Sequence, residues 1–236
     1  MPSIRIWTLE SDNDAKAVKC LANKLKEYLK LEAMSIDTTG RLKPPTRLRK
    51  AIQILLEDED CVILVIDRDG PIAHHERLQQ PNSLINQIKQ VVNDPNFAGK
   101  VFLVEAIQEL EAWLLIDCLG IFCYFATKRA QYRNNCRDKV SANPSLKRLV
   151  NRYQKGNTEN IVETEQGGKG PKEYLIEFSE KILSELNPNI RPRNINREKY
   201  REALSPEVVE HIVINRETLQ RNNSLKKLGD VIGQFQ

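Results

Sequence analysis

The sequence of 236 residues lacks the features that define several classes of protein. No apolar segment is long enough to span a bilayer, and residues 1–5 lead directly into a predicted strand without the apolar stretch of a signal peptide. No Cys-x-x-Cys pair occurs, the five cysteines are an odd number that mostly sit within apolar patterns, and only three histidines are present. We therefore expect a cytoplasmic protein with reduced cysteines, and neither a disulfide framework nor a zinc site.

The chain also has no Walker phosphate loop and no internal repeat. A length of 236 residues allows one large domain, or one domain with a helical appendage. Charge is uneven, because residues 1–118 carry 15 Lys/Arg and 18 Asp/Glu, whereas residues 119–236 carry 21 and 14. A polyanion-binding surface beside a metal site would explain this asymmetry, and so would a solvated helical face.

The most informative stretch is the run from Cys61 to Ile66, which is followed by Asp67-Arg68-Asp69-Gly70. An unbroken apolar run that is rich in β-branched residues is typical of a strand buried on both faces of a parallel sheet. Its carboxyl end is where open α/β sheets bind ligands. Asp67 and Asp69 would point to the same side and repel each other unless a hard cation such as Mg²⁺ lay between them. A simple capped strand end is the alternative.

Strands and helices alternate along the first half, which predicts an α/β fold with a mostly parallel, Rossmann-type sheet flanked by helices. We expect residues 1–120 to form this core and residues 121–236 to form a basic, mainly helical extension packed on it. Residues 71–81 are predicted to be a loop over the strand ends. The predicted helices of the extension cover residues 128–137, 145–153, 171–186, 197–204, 206–213 and 224–232.

Two glutamates stand out from this pattern. Glu10 follows the first strand and precedes the residues that can cap the next helix, so helix capping does not explain it. Capping does explain the neighbouring Asp12 and Asp14. Glu111 precedes an almost wholly apolar helical turn and lies near its core-facing edge, where an unpaired carboxylate is costly. We therefore interpret Glu10 and Glu111 as candidate site residues.

The segment Glu165-Gln166-Gly167-Gly168-Lys169-Gly170-Pro171-Lys172 combines three glycines and two lysines in front of a predicted helix. Exposed backbone amides and cations at a helix start can hold a phosphate. A flexible turn before the helix is the alternative interpretation.

In this order, the motifs resemble the Toprim domain, the topoisomerase–primase fold that overcoming-lysogenization-defect nucleases also use. The likeness is closest to prokaryotic Toprim-like proteins that are thought to act in defence against phage. The motifs that carry it span nearly the whole chain and are Glu10-Ser11-x-x-Asp14, Asp67-Arg68-Asp69, Glu111-Ala112-Trp113-Leu114-Leu115-Ile116-Asp117, Pro171-Lys172-Glu173-Tyr174-Leu175 and Asn222-Asn223-Ser224-Leu225. Ser11 departs from the family pattern, which usually has glycine there.

The resemblance implies a metal-dependent nuclease that hydrolyses DNA or RNA, as the effector of a defence system that includes an ATPase or sensor subunit. Four carboxylates would hold one or two Mg²⁺ or Mn²⁺ ions, and Lys169 and Lys172 would contact phosphate; the predicted metal ligands are Glu10, Asp67, Asp69 and Glu111. Glu10 is alternatively the general base. Two other hypotheses are a non-catalytic subunit that docks an ATPase or sensor, and a nucleotide-binding or phosphatase-like protein. No membrane partner is expected.

Overall fold

The computed structural model describes residues 1–9, 11–40, 48–68, 71–162 and 169–235. The chain forms two compact units, one made of Met1–Ile107 with Ser224–Gln236 and the other of Gln108–Asn223. The division therefore differs from the predicted boundary at residue 120, and the last residues of the chain belong with the first unit.

The described elements alternate strands and helices in the first unit and are helical throughout the second. The strands are β1 (Ser3–Thr8), β2 (Ser35–Thr39), β3 (Cys61–Arg68) and β4 (Val101–Ile107). The helices of the first unit are α1 (Asp12–Tyr28), α2 (Leu48–Asp58), α3 (Pro71–Gln79), α4 (Leu84–Val92) and the last helix of the chain, α13 (Asn223–Ile232), which begins at the unit boundary. Those of the second unit are α5 (Glu111–Leu114), α6 (Cys118–Ala126), α7 (Cys136–Ala142), α8 (Pro144–Tyr153), α9 (Pro171–Leu186), α10 (Pro192–Glu198), α11 (Ser205–His211) and α12 (Arg216–Leu219).

The first unit contains a four-stranded sheet in the order β2-β1-β3-β4, and all of its pairs are parallel. The predicted central strand is confirmed, since each residue from Cys61 to Ile66 is buried and β3 pairs on both sides. Such a strand has no solvent-facing side, which explains why its sequence does not alternate between apolar and polar residues.

Helices cover both faces of this sheet. On one face, α2 and α4 contribute Ile52, Ile85 and Ile88 to a core cluster with Val62 and Leu64 of β3. The other face needs cover for the fully buried Ile4 and Ile6 of β1, and α1 packs against β1 and β2 with six buried residues. Helix α13 lies against α1, because a Cβ added at its Gly229 would be 3.2 Å from Leu25. The predicted α/β class with a parallel sheet flanked by helices is thus confirmed.

Three predicted local structures are wrong. Residues 71–79 form α3 instead of a loop, and Leu78 packs against the core cluster. The helix predicted at residues 128–137 does not form, since only a 3-10 turn at Ala130–Tyr132 precedes Asn135, which has a φ of 56° and comes directly before α7. The helix predicted at residues 197–204 is also interrupted, since α10 ends at Glu198 and the next residue, Lys199, is extended with a ψ of 166°.

The second unit is an α-helical assembly with a buried aromatic centre that includes Trp113, Phe122 and Phe178. A disulfide joins Cys123 of α6 to Cys136 of α7, so the expectation that all cysteines are reduced is wrong for this pair. Cys20, Cys61 and Cys118 are free thiols, as expected.

Net charge is nearly even when it is counted by structural unit. The first unit carries 17 Lys/Arg and 16 Asp/Glu, a net of +1, and the second carries 19 and 16, a net of +3. The acidic and basic halves of the sequence therefore do not correspond to the two units, and bulk charge does not single out a polyanion-binding unit. None of the described helices has both the length and the apolar character that crossing a membrane requires.

Candidate functional site

The carboxyl edge of the sheet in the first unit has the geometry of a ligand site. Strands β1 and β3 are neighbours, with Thr8 in register with Val65, and the Leu9 amide donates a 3.4 Å hydrogen bond to the Val65 carbonyl. From β1 the chain crosses to β2 on one side, and from β2 it returns to β3 on the other side of β1. Open α/β sheets bind ligands outside the strand ends at such a reversal of strand order.

A groove of about 510 Å³ lies at this point. Its floor includes Leu9, which follows β1, and Ile66 and Asp67 of β3, and its wall comes from α3, α4 and their connection. The polar residues that line it are Asp67, His74, Arg77, Gln80 and Ser83. The groove thus combines a carboxylate, an imidazole and a guanidinium at the carboxyl end of the central strand.

Local hydrogen bonds fix the wall of the groove. Ser83 is the N-cap of α4 and accepts from the Asn86 amide at 3.4 Å, and the Asn86 side chain donates to the Gln80 carbonyl at 2.8 Å. His74 and Arg77 are three residues apart on α3, so they share one face of that helix. The α3–α4 connection therefore presents its polar side chains in a defined arrangement.

The start of α1 confirms the capping interpretation. Ser11 is the N-cap, and its Oγ accepts from the Asp14 amide at 3.1 Å and donates to Asp14 Oδ2 at 2.5 Å. Asp12 abuts Gly40, where an added Cβ would lie 2.0 Å from Asp12 Oδ1. A side chain at residue 40 would therefore force the Asp12 carboxylate to move.

The structure describes some of the four predicted metal ligands but not others. Asp67 is half-buried at the end of β3, in register with Ala106 of β4, as predicted. Glu10 and Asp69 lie outside the described residues, so their positions stay predictions. Within the described ranges, no three or more His, Cys, Asp and Glu side chains are grouped so that they could hold a metal ion.

Glu111 belongs to the second unit and is 7% exposed. The Tyr200 hydroxyl donates to Glu111 Oε1 at 3.0 Å, and it lies 2.6 Å from the Ser205 Oγ. Burial raises the pKa of the Glu111 carboxyl above its ordinary value, and the Tyr200 hydrogen bond opposes that shift. The predicted core position is confirmed, and the Tyr200 hydroxyl is a hydrogen-bond donor to this buried carboxylate. Its role as a metal ligand stays a prediction.

The two lysines predicted to contact phosphate are both paired with carboxylates, Lys169 with Glu177 and Lys172 with Glu202. Glu202 is the main cause of the raised pKa of Lys172.

The start of α9 is occupied as well, because the Lys172 amide donates to Glu109 Oε2 at 3.1 Å. Burial, and then the charge of Glu111, raise the pKa of Glu109 to about 7. Glu109 thus takes the position at the helix N-terminus that a phosphate would take.

Sequence analysis missed three residues near the groove. His74 and Arg77 fell in a segment predicted to be a loop, although its place directly after the central strand was a usable signal. Glu105 was treated as part of a connection, but it lies on β4 in register with Ile66. Its Oε1 is buried and has no hydrogen-bond partner among the described residues. An unsatisfied buried carboxylate oxygen is costly and marks Glu105 as unusual, but its register with Ile66 puts it on the sheet face opposite to Asp67.

Comparison with known proteins adds no relatives: no protein-family model matches the chain, and no curated protein or solved structure is significantly similar to it.

Proposed function

We propose that this protein is a divalent-metal-dependent nuclease whose site lies at the carboxyl ends of β1 and β3. The observation that carries the proposal is the reversal of strand order between these strands, together with the groove that Asp67 lines there. At this point a buried apolar strand ends in a carboxylate that lines a groove. A metal-binding site requires such a carboxylate in a concave position.

The chemistry of the donor set supports a hard cation. Leu9 is hydrogen-bonded to β3 and is followed in the sequence by Glu10, and Asp67 is followed two residues later by Asp69. These three carboxylates are oxygen donors of the kind that Mg²⁺ and Mn²⁺ prefer. A bound ion of this kind polarises a phosphodiester and makes water a stronger nucleophile near neutral pH.

The groove also supplies groups that suit a phosphodiester. The Arg77 guanidinium can bind two non-bridging oxygens of a phosphate in its planar fork. His74 lines the same groove, and an imidazole there could protonate a leaving group as a general acid. The Toprim resemblance points to the same chemistry, and to a defence effector that works with an ATPase or sensor subunit.

The test compares three proteins on plasmid DNA and total RNA, with Mg²⁺, Mn²⁺ or EDTA. Wild type is expected to cleave with either metal, and Asp67→Asn to lose at least about 100-fold in rate, beyond the loss typical of an outer-shell partner. Glu57→Gln is the matched control, since Glu57 is exposed near the end of α2, which ends three positions before β3 begins and thus lies near the amino end of that strand.

A separate readout keeps the proposal independent of the choice of substrate. Titration with Mn²⁺ alone, followed by electron paramagnetic resonance, is expected to show bound metal in wild type and Glu57→Gln and weakened binding in Asp67→Asn. Equal Mn²⁺ affinity in all three proteins would overturn the proposal. Release of phosphate from mononucleotides without polymer cleavage would favour a phosphatase-like activity instead.

A further inference from the structure

The connection between α9 and α10 forms a second concavity, of about 390 Å³, in the second unit. Three arginines and three asparagines line it, and we call it the arginine pocket; they are Arg191, Arg193, Arg197, Asn187, Asn189 and Asn194. No acidic residue lines it. The polar side chains that line it are therefore guanidinium groups, which only donate hydrogen bonds, and amides, which both donate and accept them.

The arginines of this pocket differ from three lysines of the same unit. Within the part of the chain that the structure describes, Lys169, Lys172 and Lys199 of the same unit each form an ion pair with a glutamate. Over the same residues, no carboxylate pairs with any of the three pocket arginines, and all three are exposed. The pocket thus holds three positive charges that the described protein does not neutralise.

The spacing of these charges is unfavourable by itself. Arg193 and Arg197 are four residues apart on α10, so their side chains share a face, and like charges at this spacing destabilise a helix. Arg191 directly precedes α10 and adds a third charge. An anion bound in the pocket would relieve this repulsion.

The asparagines point to the same ligand. Among the described residues, the side chains of Asn187, Asn189 and Asn194 make no hydrogen bond, so their amide groups are available to a ligand. Guanidinium forks and amide donors together match the tetrahedral oxygens of phosphate.

We propose that the arginine pocket binds phosphate groups of a nucleic-acid backbone. Ile190 is the one apolar residue of the lining, so an acidic peptide would find little surface to bury, whereas a phosphodiester backbone needs only charge and donors. The choice of nucleic acid rests on the proposed nuclease function. The pocket replaces Lys169 and Lys172, which are paired with glutamates, as the source of backbone contacts.

The experiment measures binding without catalysis. Fluorescence anisotropy follows labelled single-stranded and duplex oligonucleotides in EDTA from 50 to 200 mM KCl. For the triple variant Arg191→Ala/Arg193→Ala/Arg197→Ala we expect at least tenfold weaker binding at 100 mM KCl. The slope of log Kd against log salt should fall by about 2 to 3, since each lost phosphate contact removes about 0.7 to 0.9.

The matched control removes three exposed cations from α8 of the same unit, as Lys147→Ala/Arg148→Ala/Arg152→Ala. It lowers the net charge by the same amount as the pocket variant. Because it leaves the arginine pocket intact, it should keep most of the affinity and most of the salt dependence. An Arg→Lys triple variant of the pocket should bind with intermediate affinity, because it keeps the charge but loses the planar fork. Circular dichroism and Tm establish that each variant is folded.

Three results would overturn the proposal: unchanged affinity in the pocket variant, an equal loss in the α8 control, or displacement of the oligonucleotide by a poly-glutamate peptide as effectively as by unlabelled nucleic acid. Failure of the proposed function looks different. If wild type binds through the pocket but never cleaves with Mg²⁺ or Mn²⁺, the nuclease proposal fails and the pocket proposal stands. If the protein cleaves but the pocket variant binds with unchanged affinity, the pocket proposal fails and the nuclease proposal stands.

Discussion

Two carboxylates that the sequence singled out, Glu111 in the second unit and Asp67 in the first, have different surroundings. In the second unit, the described residues that the sequence singled out are held by neighbours, as Glu111 is by Tyr200 and Lys172 is by Glu202. In the first unit, Asp67 lies at a strand end that opens into a groove. A carboxylate beside an apolar segment is therefore stronger evidence of a ligand site when it lines a groove than when it is buried against a hydroxyl group.

The largest expected effect compares the two carboxylates directly. Asp67→Asn should reduce metal-dependent cleavage by at least about 100-fold, whereas Glu111→Gln, which keeps the hydrogen bond from Tyr200, should leave the rate within about threefold of wild type. Initial rates on one supercoiled plasmid at saturating Mn²⁺ check this. A Glu111→Gln rate as low as that of Asp67→Asn would break the distinction, and would support the predicted role of Glu111 as a metal ligand.

The disulfide sharpens the comparison, because it lies in the second unit alone. Cys123 and Cys136 are 13 residues apart, and closing a loop of about this length stabilises the folded state by about 3 kcal/mol. Reduction, or Cys136→Ser, should lower the Tm of the second unit and leave the transition of the first unit in place. Differential scanning calorimetry with and without a phosphine reductant measures both transitions.

Cys136→Ser is the control for other effects of the reductant. Because this variant lacks the disulfide, the reductant should not shift its Tm. Thiol alkylation of the unreduced, denatured protein should label Cys20, Cys61 and Cys118 only. Labelling of all five cysteines without a reductant would show that the bond does not form.

The fold of the first unit follows from its sequence because local and global signals agree there. The run from Cys61 to Ile66 cannot be a half-exposed strand, and its neighbours have the periodicity of helices, so a parallel sheet is the remaining solution. Helix α3 was missed because its burial depends on Leu78 reaching a core cluster built from other elements. A polar segment of this kind has no periodicity strong enough to predict a helix.

The second unit is less predictable because its stabilising contacts join distant residues. Tyr200 is 89 residues from Glu111, and nothing in the local pattern of either residue indicates the other. The disulfide partners have no characteristic spacing, and Cys123 lies within an apolar helix where a buried thiol is the usual interpretation. In the candidate site, the sequence identified the position of Asp67 but not the groove wall, which depends on α3.

The contact between Tyr200 and Glu111 gives the third prediction. Tyr200→Phe removes the donor to Glu111 and leaves a buried carboxylate without that partner, so the free energy of unfolding should fall by about 1–3 kcal/mol. Urea unfolding of Tyr200→Phe, Glu111→Ala and the double variant forms a double-mutant cycle, because each single substitution removes the hydrogen bond. Additive effects would mean that the two side chains do not interact, and that Glu111 has some other partner.

The smallest effect is a pH dependence at Glu109. Its pKa is raised from 4.5 to about 7 in the folded protein, so its contribution to stability is fully present below pH 4.5 and is lost as pH rises through 7. Glu109→Gln cannot ionise, so it does not lose stability in this way. The difference in Tm between Glu109→Gln and wild type should therefore grow by a few degrees from pH 5 to pH 8. About 1 kcal/mol shifts Tm by about 2–4 °C in a chain of this size. Glu57→Gln should show no such trend across the same series of buffers. A constant difference in Tm from pH 5 to 8 would mean that Glu109 is ionised throughout, and that the amide of Lys172 and the cations near α9 offset its burial.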